Sequence, residues 1–429
     1  MKTTLRFLLT LFICLTLSAS AQALTFKIAS YNVENLFDLI RDGTEYSEYI
    51  PGNPYGWNKE TFNVKLNNAA KVIKDLGADI IALQEIESDK ALISLQNKLK
   101  DFNVDYPYRA ISDSKPTTVK CALLSKFPIT KKKEIKLRDN SARNILMTQI
   151  EINDSPLIIF TNHWKSKQGP ESMRIAYAKA LKKEIDKINK TTDFIILGDF
   201  NSNYNEYKTF LSSLKFNNTS GITGINHILK TVKKQKLINE ADLIKKNNSG
   251  YLYNLWLELD APKRWSYNFF GEKNTPDSII LSPGLYNHSG LSYIDNSFDR
   301  FNPDYLFKGN EIYRWQRSKR GKGKHLGLGY SDHLPVFAYF STEPFLPLKD
   351  SFFNSNSAPS KPPPKEELIN INSATASQLM IIPGIGPSLS KKIIAGRPYH
   401  IINDLLRVKG IGKKTLERLR PYLSIIKSK

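Results

Sequence analysis

The sequence is poor in cysteine, with only Cys14 and Cys121 among 429 residues. Cys14 lies in an N-terminal segment that resembles a signal peptide, so we expect the mature chain to keep Cys121 alone. An exported chain with one cysteine has no internal disulfide, and its hydrophobic core must hold it folded. Hydrophobic residues make up 41% of the sequence and include 22 Phe and 20 Tyr, which is enough for such a core.

Long apolar runs are also missing after the N-terminus, so we expect no membrane-spanning helix in the mature chain. The N-terminus itself has a basic start at Lys2 and Arg6, an apolar stretch over 8–17 and a small-residue cleavage pattern at 21–23. This order is typical of a signal peptide. We therefore expect residues 1–23 to be removed on export, to the periplasm or to the external medium.

Acidic residues are in the minority. The chain has 41 Asp and Glu against 62 Lys and Arg, which gives a formal net charge of +21. Such a charge says nothing about the fold, but it favours polyanions as partners. A solvated, lysine-rich surface without a specific role is the alternative.

A Pro- and Ser-rich stretch, residues 343–366, divides the chain. It includes Pro362-Pro363-Pro364, and its composition predicts an exposed, semi-stiff linker. The linker separates a first domain, residues 24–342, from a second, residues 367–429.

Apolar runs of strand length alternate with helical periods in the first domain. Helices are predicted near 62–76 and 176–188, where apolar residues recur at three-to-four spacing. The segment 223–270 is less regular and is interpreted as a large insertion with some helix. This mixture predicts an α/β sandwich of two sheets with helices outside. The predicted strands are Phe26–Ser30, Ile80–Leu83, Ala122–Leu124, Leu157–Thr161, Phe194–Leu197, Ser278–Leu281 and Val336–Phe340.

Polar motifs follow the ends of several apolar runs. One polar strand end means little, but five that carry Asn, Asp, Glu or His predict side chains converging on one divalent cation and one phosphate. Carboxylate and amide oxygens are the hard ligands that Mg²⁺ or Ca²⁺ prefers. The motifs are Tyr31-Asn32-Val33-Glu34-Asn35, Gln84-Glu85-Ile86, Thr161-Asn162-His163-Trp164-Lys165-Ser166-Lys167, Gly198-Asp199-Phe200-Asn201 and Ser331-Asp332-His333.

Two of these motifs place acids directly after buried strands. Glu85 can face a cleft as a metal ligand, or it can be a capping or salt-bridging residue. Asp199 and Asn201 point the same way at period two. They can hold a metal or orient a water and a phosphate oxygen, although an Asx-type turn is an equal alternative.

The histidines suggest acid–base chemistry. Asp332 and His333 are adjacent, so they cannot share one face of a regular strand; one can bind metal while the other acts on the phosphate. His163 follows another strand. A catalytic histidine needs a carboxylate to fix its tautomer, and Asp277 and Asp113 are candidates that the sequence alone cannot pair.

With these motifs in order, residues 24–342 resemble the endonuclease/exonuclease/phosphatase superfamily, the fold of pancreatic-type deoxyribonuclease and bacterial sphingomyelinase. The resemblance implies an α/β (α+β) four-layer sandwich of two packed, mostly antiparallel sheets flanked by helices. One departure is Ser278, where many members have His. The matching motifs are Tyr31-Asn32-Val33-Glu34-Asn35-Leu36, Leu83-Gln84-Glu85-Ile86, Asn162-His163-Trp164-Lys165-Ser166-Lys167, Gly198-Asp199-Phe200-Asn201, Pro276-Asp277-Ser278-Ile279-Ile280 and Ser331-Asp332-His333-Leu334-Pro335.

The resemblance also implies a metal site. Glu85 is similar to the family's main metal ligand, with help from Asn32 and Asp332. Asp199 and Asn201 resemble the pair that handles the nucleophilic water and the phosphate. The implied cofactor is Mg²⁺, with Ca²⁺ or Mn²⁺ as alternatives.

The implied catalytic histidines are His163 and His333. Asp277 resembles the acid behind His333, and Asp113 is a looser match to the acid behind His163. Arg143 stands where many members have a phosphate-binding arginine.

The second domain contains a glycine repeat. Ile382-Pro383-Gly384-Ile385-Gly386 recurs as Val408-Lys409-Gly410-Ile411-Gly412 twenty-six residues later, and residues 367–429 hold eleven Lys and Arg against three Asp and Glu. Such glycines let backbone N–H groups approach an anion at a helix start. The segment resembles the tandem helix-hairpin-helix domain of bacterial competence DNA receptors, a small all-α unit, which implies sequence-independent binding of duplex DNA. The expected DNA-binding residues are Gly384, Gly386, Lys409, Gly410, Gly412 and Lys413.

These patterns together predict an exported, metal-dependent nuclease that hydrolyses DNA phosphodiesters, acting as a monomer. Water would be activated by the His333/Asp277 pair or by Asp199, and RNA remains a possible substrate. A phospholipid or sphingomyelin phosphodiesterase is the alternative enzyme, and a non-catalytic DNA-uptake receptor is the alternative outside enzymes. The basic segment 314–324 can flank the phosphate cleft or be a loop without function.

Overall fold

The computed structural model describes residues 23–189, 192–211, 216–244, 250–269, 271–287, 289–343, 369–380, 382, 385–412, 415–416 and 419–425. The expected signal peptide and linker lie almost wholly outside the described residues. Gly384 and Lys413, two of the expected DNA-binding residues, also lie outside them.

The strands of the described chain form two large sheets and four small pairs. In chain order they are β1 (Thr25–Leu36), β2 (Ile80–Ile86), β3 (Tyr108–Ile111), β4 (Lys120–Ser125), β5 (Ile129–Ile135), β6 (Ile145–Ile152), β7 (Ser155–His163), β8 (Asp193–Asp199), β9 (Val232–Lys233), β10 (Lys236–Leu237), β11 (Tyr253–Asn254), β12 (Tyr267–Phe269), β13 (Glu272–Asn274), β14 (Asp277–Leu281), β15 (Ser292–Tyr293), β16 (Asp299–Arg300), β17 (Phe307–Lys308), β18 (Glu311–Ile312), β19 (Val336–Ser341), β20 (Ile369–Asn370) and β21 (Leu423–Ser424).

The first large sheet has the order β15-β19-β1-β2-β4-β3, with β16 also paired to β19, and the second has the order β11-β14-β8-β7-β6-β5. Most neighbours are antiparallel. The exceptions are β1 with β2 in the first sheet and β7 with β8 in the second. In each parallel pair both strands end at the same edge of the sheet, and this edge carries the polar motifs.

The apolar runs form central strands because both of their faces are buried. In β2, Ile80 and Ala82 face the core between the sheets, whereas Ile81 and Leu83 face the helical layer. This two-sided burial explains why β2 is a continuous apolar run rather than an alternating one. The core between the sheets also includes Ile28, Leu123, Ile159, Leu197, Ile279 and Ala338.

Three long helices cover the outer faces. They are α1 (Lys59–Leu76), α2 (Asp89–Asp101) and α3 (Glu171–Ile185). Helix α1 begins where the Asn58 side chain accepts a hydrogen bond from the Thr61 amide, and it ends at Gly77 in the left-handed conformation, which only glycine adopts at no steric cost. Helices α1 and α2 pack on the first sheet and α3 on the second, which confirms the predicted four-layer sandwich.

The described residues of the segment 223–270 form short pieces, and they include some helix. It contains a π-helical turn (Gly224–Ile228), the β9–β10 hairpin, a helix (Glu240–Ile244) and two 3₁₀ turns (Leu255–Glu258 and Ala261–Lys263). Other short helices of the first domain are Ser47–Tyr49, Glu206–Thr209, Pro283–Tyr286, Asp304–Leu306 and Ser318–Gly321.

The C-terminal unit has its own apolar core, which includes Ile371, Leu379, Ile393, Leu405 and Leu419. Its helical pieces are Ala376–Met380, Pro387–Ala395, Ile402–Arg407 and Arg420–Tyr422. The two-residue strands β20 and β21 pair in parallel and join the ends of this otherwise helical unit. No helix in the described part of either unit is long and apolar enough to cross a membrane.

Candidate active site

Asn32 connects the two sheets at their polar edge. Its Nδ2 donates to Oε1 of Glu85 at 3.2 Å and to Oδ2 of Asp199 at 3.1 Å. Because Glu85 is the penultimate residue of β2 and Asp199 is the last of β8, one side-chain amide holds carboxylates from both sheets. The side-chain oxygen of Asn32, Oδ1, accepts a hydrogen bond from the backbone amide of Glu34 at 3.0 Å. Metal binding by Asn32 remains a prediction; in this orientation its Nδ2 is a hydrogen-bond donor to the acids.

The backbone around Glu85 is distorted. Its φ is +67°, in the left-handed region, and the pairing of β2 with β4 shifts register between Gln84 and Ile86. Such a conformation costs about 1–3 kcal/mol for a non-glycine residue and is typical of functional sites. The bulge turns the Glu85 carboxylate toward Asn32 and the second sheet.

Gly198 allows β7 and β8 to close together at their ends. Its φ is +131°, and a Cβ at this position would lie 2.1 Å from the carbonyl oxygen of Asn162. Only glycine fits this approach. It places His163 beside Asp199 in the parallel register, and β14 places Asp277 on the other side of Asp199.

Asp277 and His333 form a hydrogen-bonded pair, as the resemblance implied. Oδ2 of Asp277 lies 2.8 Å from Nδ1 of His333 and also accepts from Oγ of Ser266 at 2.6 Å. Burial opposes a charge on His333, but Asp277, Asp332 and Asp199 outweigh it and raise the pKa well above its usual value. Nε2 of His333 points toward Oδ2 of Asp199 (4.0 Å) and Oδ1 of Asp332 (3.8 Å).

His163 is buried opposite the pair. Its Nε2 lies 3.6 Å from Oδ2 of Asp199 and 3.7 Å from Oε1 of Glu85. Burial, with the nearby cations Arg143 and His333, holds its pKa well below the usual value. Its Nδ1 has no hydrogen-bond partner in the described residues.

Asp113 is therefore not the acid behind His163. It follows β3, the outermost strand of the first sheet, where it is solvent-exposed and pairs with Nζ of Lys132 at 2.8 Å. The sequence placed it correctly near a strand end, but the strand lies at the outer edge of the sheet.

Arg143 and Asn201 hold the turn after His163. Nε of Arg143 donates to the carbonyl of His163 at 3.1 Å, and its Nη2 donates to the carbonyl of Trp164 at 2.7 Å. Nδ2 of Asn201 donates to the same Trp164 carbonyl at 3.1 Å, and the Asn201 amide donates to Oδ1 of Asp199 at 2.8 Å. Phosphate binding by these two residues remains a prediction.

The buried Glu34 and the half-exposed Arg314 form a second charge pair that the sequence interpretation missed. Oε1 of Glu34 accepts from Nε of Arg314 at 3.0 Å, and Oε2 accepts from the Trp315 amide at 3.0 Å. Nη2 of Arg314 also lies 3.3 Å from Oδ2 of Asp332. Burial and the Asp332 charge raise the pKa of Glu34 to about 7, and burial lowers the pKa of the adjacent Lys65 to about 8. Glu34 lies in the first polar motif and Arg314 in the basic segment 314–324, both of which the sequence analysis identified. Because 280 residues separate them, their pairing could not be predicted from the sequence.

The donor set fits a divalent cation. Burial and then Asp332 raise the pKa of Glu85, and burial raises the pKa of Asp199 to about 6. Crowded, buried carboxylates of this kind match the oxygen ligands that Mg²⁺, Mn²⁺ or Ca²⁺ takes. Asp199, Asp277 and His333 also bring ligand atoms within 4.8 Å of one another. Asp277 and His333 already form a hydrogen bond with each other. Glu85 and Asp332 are therefore the better candidates for metal ligands.

Two family descriptions match the chain. The Endonuclease/Exonuclease/phosphatase family matches residues 27–237 and 224–342, and the helix-hairpin-helix motif matches residues 364–424.

Individual relatives are more distant. ComE operon protein 1 of Bacillus subtilis is 38% identical over 65 residues, 14% of this chain and 32% of that protein. Photosystem II extrinsic protein U of Phaeodactylum tricornutum is 33% identical over 58 residues, 14% of this chain and 39% of that protein. The chain thus matches about a third of the length of the first of these curated relatives and about two fifths of the second.

Among solved structures, truncated Caenorhabditis elegans TDP2 is 15% identical and aligns over 74% of this chain and 97% of that one, with a TM-score of 0.43. A Leptotrichia buccalis endonuclease/exonuclease/phosphatase family protein is also 15% identical, over 73% and 98%, with a TM-score of 0.42. The family match covers well over half of the sequence, and so this chain belongs to the endonuclease/exonuclease/phosphatase family of phosphodiesterases and phosphatases, with a helix-hairpin-helix motif at its C-terminal end.

Proposed function

We propose that this protein is a divalent-metal-dependent nuclease that hydrolyses DNA phosphodiester bonds and holds DNA with its C-terminal unit. The observation that carries the proposal is the convergence of Glu85, His163, Asp199, Asp277 and His333 from the ends of four strands and one loop. A structural role does not require two histidines and three carboxylates this close together, because buried acids and imidazoles each cost desolvation energy.

The acids of the first sheet would hold the metal. Glu85 and Asp332 offer carboxylate oxygens, and Asn32 keeps the Glu85 carboxylate in place through its 3.2 Å hydrogen bond. When bound, a divalent ion supplies Lewis-acid polarisation of a phosphate oxygen and neutralises charge on the leaving oxygen.

Asp199 would accept the proton of the attacking water. Asn32 and the Asn201 amide each donate to one of its oxygens, so the carboxylate is fixed in orientation. A general base must hold such a fixed position within reach of its proton.

The two histidines would contact the phosphate. Asp277 fixes Nδ1 of His333, so His333 can hold a proton at Nε2 and give it to the departing oxygen. His163 would donate its Nε2–H to a non-bridging oxygen. Arg143 would act mainly as a positioning residue, because two of its donors hold the carbonyls of His163 and Trp164.

The similarity of the C-terminal unit to a helix-hairpin-helix motif and to part of ComE operon protein 1 supports DNA as the bound polymer. We further propose that the protein is exported, on the basis of the N-terminal pattern of residues 1–23. Sequencing the N-terminus of protein recovered outside the cytoplasm tests this.

The decisive experiment compares supercoiled DNA, linear DNA, RNA and sphingomyelin, each with Mg²⁺, Mn²⁺, Ca²⁺ or chelator. We expect metal-dependent cleavage of both DNA forms. Turnover of sphingomyelin alone would make the protein a lipid phosphodiesterase. DNA binding without hydrolysis of any substrate under any metal would make it a receptor.

A further inference from the structure

The segment that joins β18 to the Ser331-Asp332-His333 motif is a closed hairpin. We call residues 314–330 the basic hairpin. The Gln316 amide donates to the Leu328 carbonyl at 2.8 Å, the Leu326 amide to Gln316 at 3.1 Å and the Ser318 amide to Lys324 at 2.8 Å. Both sides of the hairpin are thus tied together by backbone hydrogen bonds.

A buried histidine anchors the hairpin to the domain. Nδ1 of His325 accepts from Nε1 of Trp315 at 2.9 Å, and its Nε2 lies 2.9 Å from the carbonyl of Glu48. Its ring packs against Tyr49 and Trp57, with centroids 4.8 Å and 5.0 Å away. With both ring nitrogens bonded and the ring enclosed, His325 fixes this side of the hairpin to the domain.

The tip of the hairpin carries unpaired positive charge. Lys319, Arg320, Lys322 and Lys324 are exposed, and none forms an ion pair with an acid of the described chain. Arg317, by contrast, is neutralised by Glu48 at 2.8 Å. Four cations without internal partners are available to an external anion.

An apolar patch lies beside these cations. Leu326 and Leu328 are 50% and 49% exposed, and Val64 of α1, which faces Gly327, is 36% exposed. The hairpin therefore presents apolar and cationic side chains together.

The hairpin starts and ends at the candidate active site. Its first residue, Arg314, contacts Glu34 and Asp332, and its last, Tyr330, is followed directly by Ser331. A polymer whose phosphate is held at Asp199 and His333 would therefore extend past the hairpin.

We infer that the basic hairpin is a second DNA-contacting surface, in which Lys319, Arg320, Lys322 and Lys324 bind phosphates that flank the scissile bond while Leu326 and Leu328 pack against deoxyribose or base edges. The inference rests on the proposed function and adds a contact outside the C-terminal unit. Phosphate contacts of this kind position a duplex without reading its sequence.

The charges favour DNA over a membrane surface. Two leucines bury little area, and stable membrane attachment usually needs a larger apolar face or a second anchor. Four unpaired cations beside a phosphodiester-cleaving site match a polyanion that releases counterions on binding.

The test removes two charges from the hairpin of the full-length protein, as Lys322→Gln with Lys324→Gln. The matched control is Lys179→Gln with Lys183→Gln, two exposed lysines on α3. Binding to a 24-base-pair duplex is followed by fluorescence anisotropy in chelator, at several salt concentrations, so it does not depend on cleavage. We expect about tenfold weaker binding at moderate salt and a log–log salt slope shallower by about 2, with no change in the control.

Kinetics separate this inference from the proposed function. The small diester bis(4-nitrophenyl) phosphate has no flanking phosphates for the lysines to bind, so its turnover should be unchanged in the variant, while KM for the duplex rises. If the wild type hydrolyses neither substrate, the proposed function fails while the anisotropy result still decides the hairpin. Equal affinity and salt slope in the variant and the wild type would overturn the inference.

A second variant tests the leucines, as Leu326→Ser with Leu328→Ser. We expect the variant to bind the duplex more weakly than the wild type does, with the same salt slope. We also expect that the wild type does not co-float with vesicles of phosphatidylserine and phosphatidylcholine. Co-flotation that these substitutions abolish, with DNA affinity unchanged, would identify a membrane-binding surface instead and overturn the inference.

Discussion

Nδ1 of His333 lies 2.8 Å from Oδ2 of Asp277, although 56 residues separate them. Strand β14 brings Asp277 opposite Asp199 of β8, and the loop before β19 brings His333 over both. On the other side of Asp199 lies His163, with its Nε2 3.6 Å from Oδ2. The two histidines therefore face the same carboxylate from opposite sides, which suits a single phosphate held between them.

The first prediction concerns these histidines. His163→Ala and His333→Ala should each lower kcat/KM on a short DNA duplex by at least ~10²-fold, as expected for the loss of an acid or a base. The loss of kcat/KM in the double variant should be far smaller than the product of the two single-variant losses, because one mechanism needs both residues. His400→Ala, which changes an exposed histidine of the C-terminal unit, is the control. Losses that simply multiply would contradict action on one phosphate.

The second prediction concerns the metal. Chelator should abolish cleavage by the wild type, and added Mg²⁺ or Mn²⁺ should restore it. Glu85→Gln should remove cleavage and weaken Mn²⁺ binding in isothermal titration, because it replaces a negative ligand by a neutral one. Circular dichroism should show an unchanged fold.

Glu87→Gln is the matched control. Glu87 stands two residues later, and its Oε2 accepts from the Asp38 amide at 3.2 Å instead of facing Glu85 or Asp199. It should keep turnover; it is a control for activity only, because Glu87 also groups with Asp42 and Glu45, whose ligand atoms lie within 4.8 Å of one another. Normal turnover in folded Glu85→Gln protein would refute the assignment of Glu85 as a ligand.

The fold could be predicted largely from local patterns. The apolar run over 80–83 appears as the centre of β2 because both of its faces are buried, and the periodic segment 62–76 falls within α1. Strand and helix periods depend on neighbouring residues, and so one sequence is enough to detect them.

The pairing of side chains across the site could not be predicted in this way. Asp113 and Asp277 were equal candidates for the histidines until the sheet order placed Asp113 on an outer strand beside Lys132. Glu34 and Arg314 meet through a hairpin that depends on distant aromatic packing around His325. Such contacts follow from tertiary structure rather than from periodicity.

The third prediction concerns Gly198. Gly198→Ala should destabilise the protein by about 3 kcal/mol or more, because the added Cβ meets the Asn162 carbonyl at 2.1 Å and the backbone there is strained for any L side chain. Gly309→Ala is the control, since its φ is +64° but nothing lies within 4 Å, and it should cost only about 1–2 kcal/mol. Urea unfolding measures both. Equal losses would show that backbone conformation, not the close approach of β7 and β8, decides the cost.

The fourth prediction is a pH dependence of stability at the other end of β8. Oδ2 of Asp193 accepts from the Leu291 amide at 2.8 Å, while its buried Oδ1 has no hydrogen-bond partner in the described residues. Burial raises the pKa of Asp193 from 3.8 to about 6. The folded state therefore holds this proton more tightly than the unfolded state. Its stabilising contribution is complete below pH 3.8 and is lost as pH rises through 6, a change of about 3 kcal/mol.

Asp193→Asn should remove this dependence. Relative to the wild type, the free energy of unfolding of the variant should rise by up to about 3 kcal/mol between pH 4 and pH 7. Urea unfolding of both proteins at several pH values measures the difference in their free energies of unfolding. Groups that titrate equally in both proteins do not contribute to this difference. A constant difference across this range would mean that Asp193 does not titrate there.

The last prediction concerns the C-terminal unit. It contains basic charge and a glycine repeat, and its described residues include no pair of acid and base at a strand edge, so we expect it to bind DNA and perform no chemistry. Deleting residues 367–429 should leave kcat/KM on a short oligonucleotide nearly unchanged. On long DNA at moderate salt it should raise KM, because a second binding site on the same chain increases the local DNA concentration at the first.

Point substitutions separate binding from the loss of the whole unit. Gly410 has a φ of +114° and Gly386 directly precedes the helix Pro387–Ala395, so alanine at both should hinder the close approach of backbone N–H groups to a phosphate. The double variant should reproduce the higher KM and a shallower salt slope of DNA binding. Gly396→Ala, at the other end of that helix, is the control for general destabilisation. If deletion of the unit changes neither DNA affinity nor its salt slope, the unit binds another molecule, and the basic hairpin and the active site must account for all the contacts with DNA.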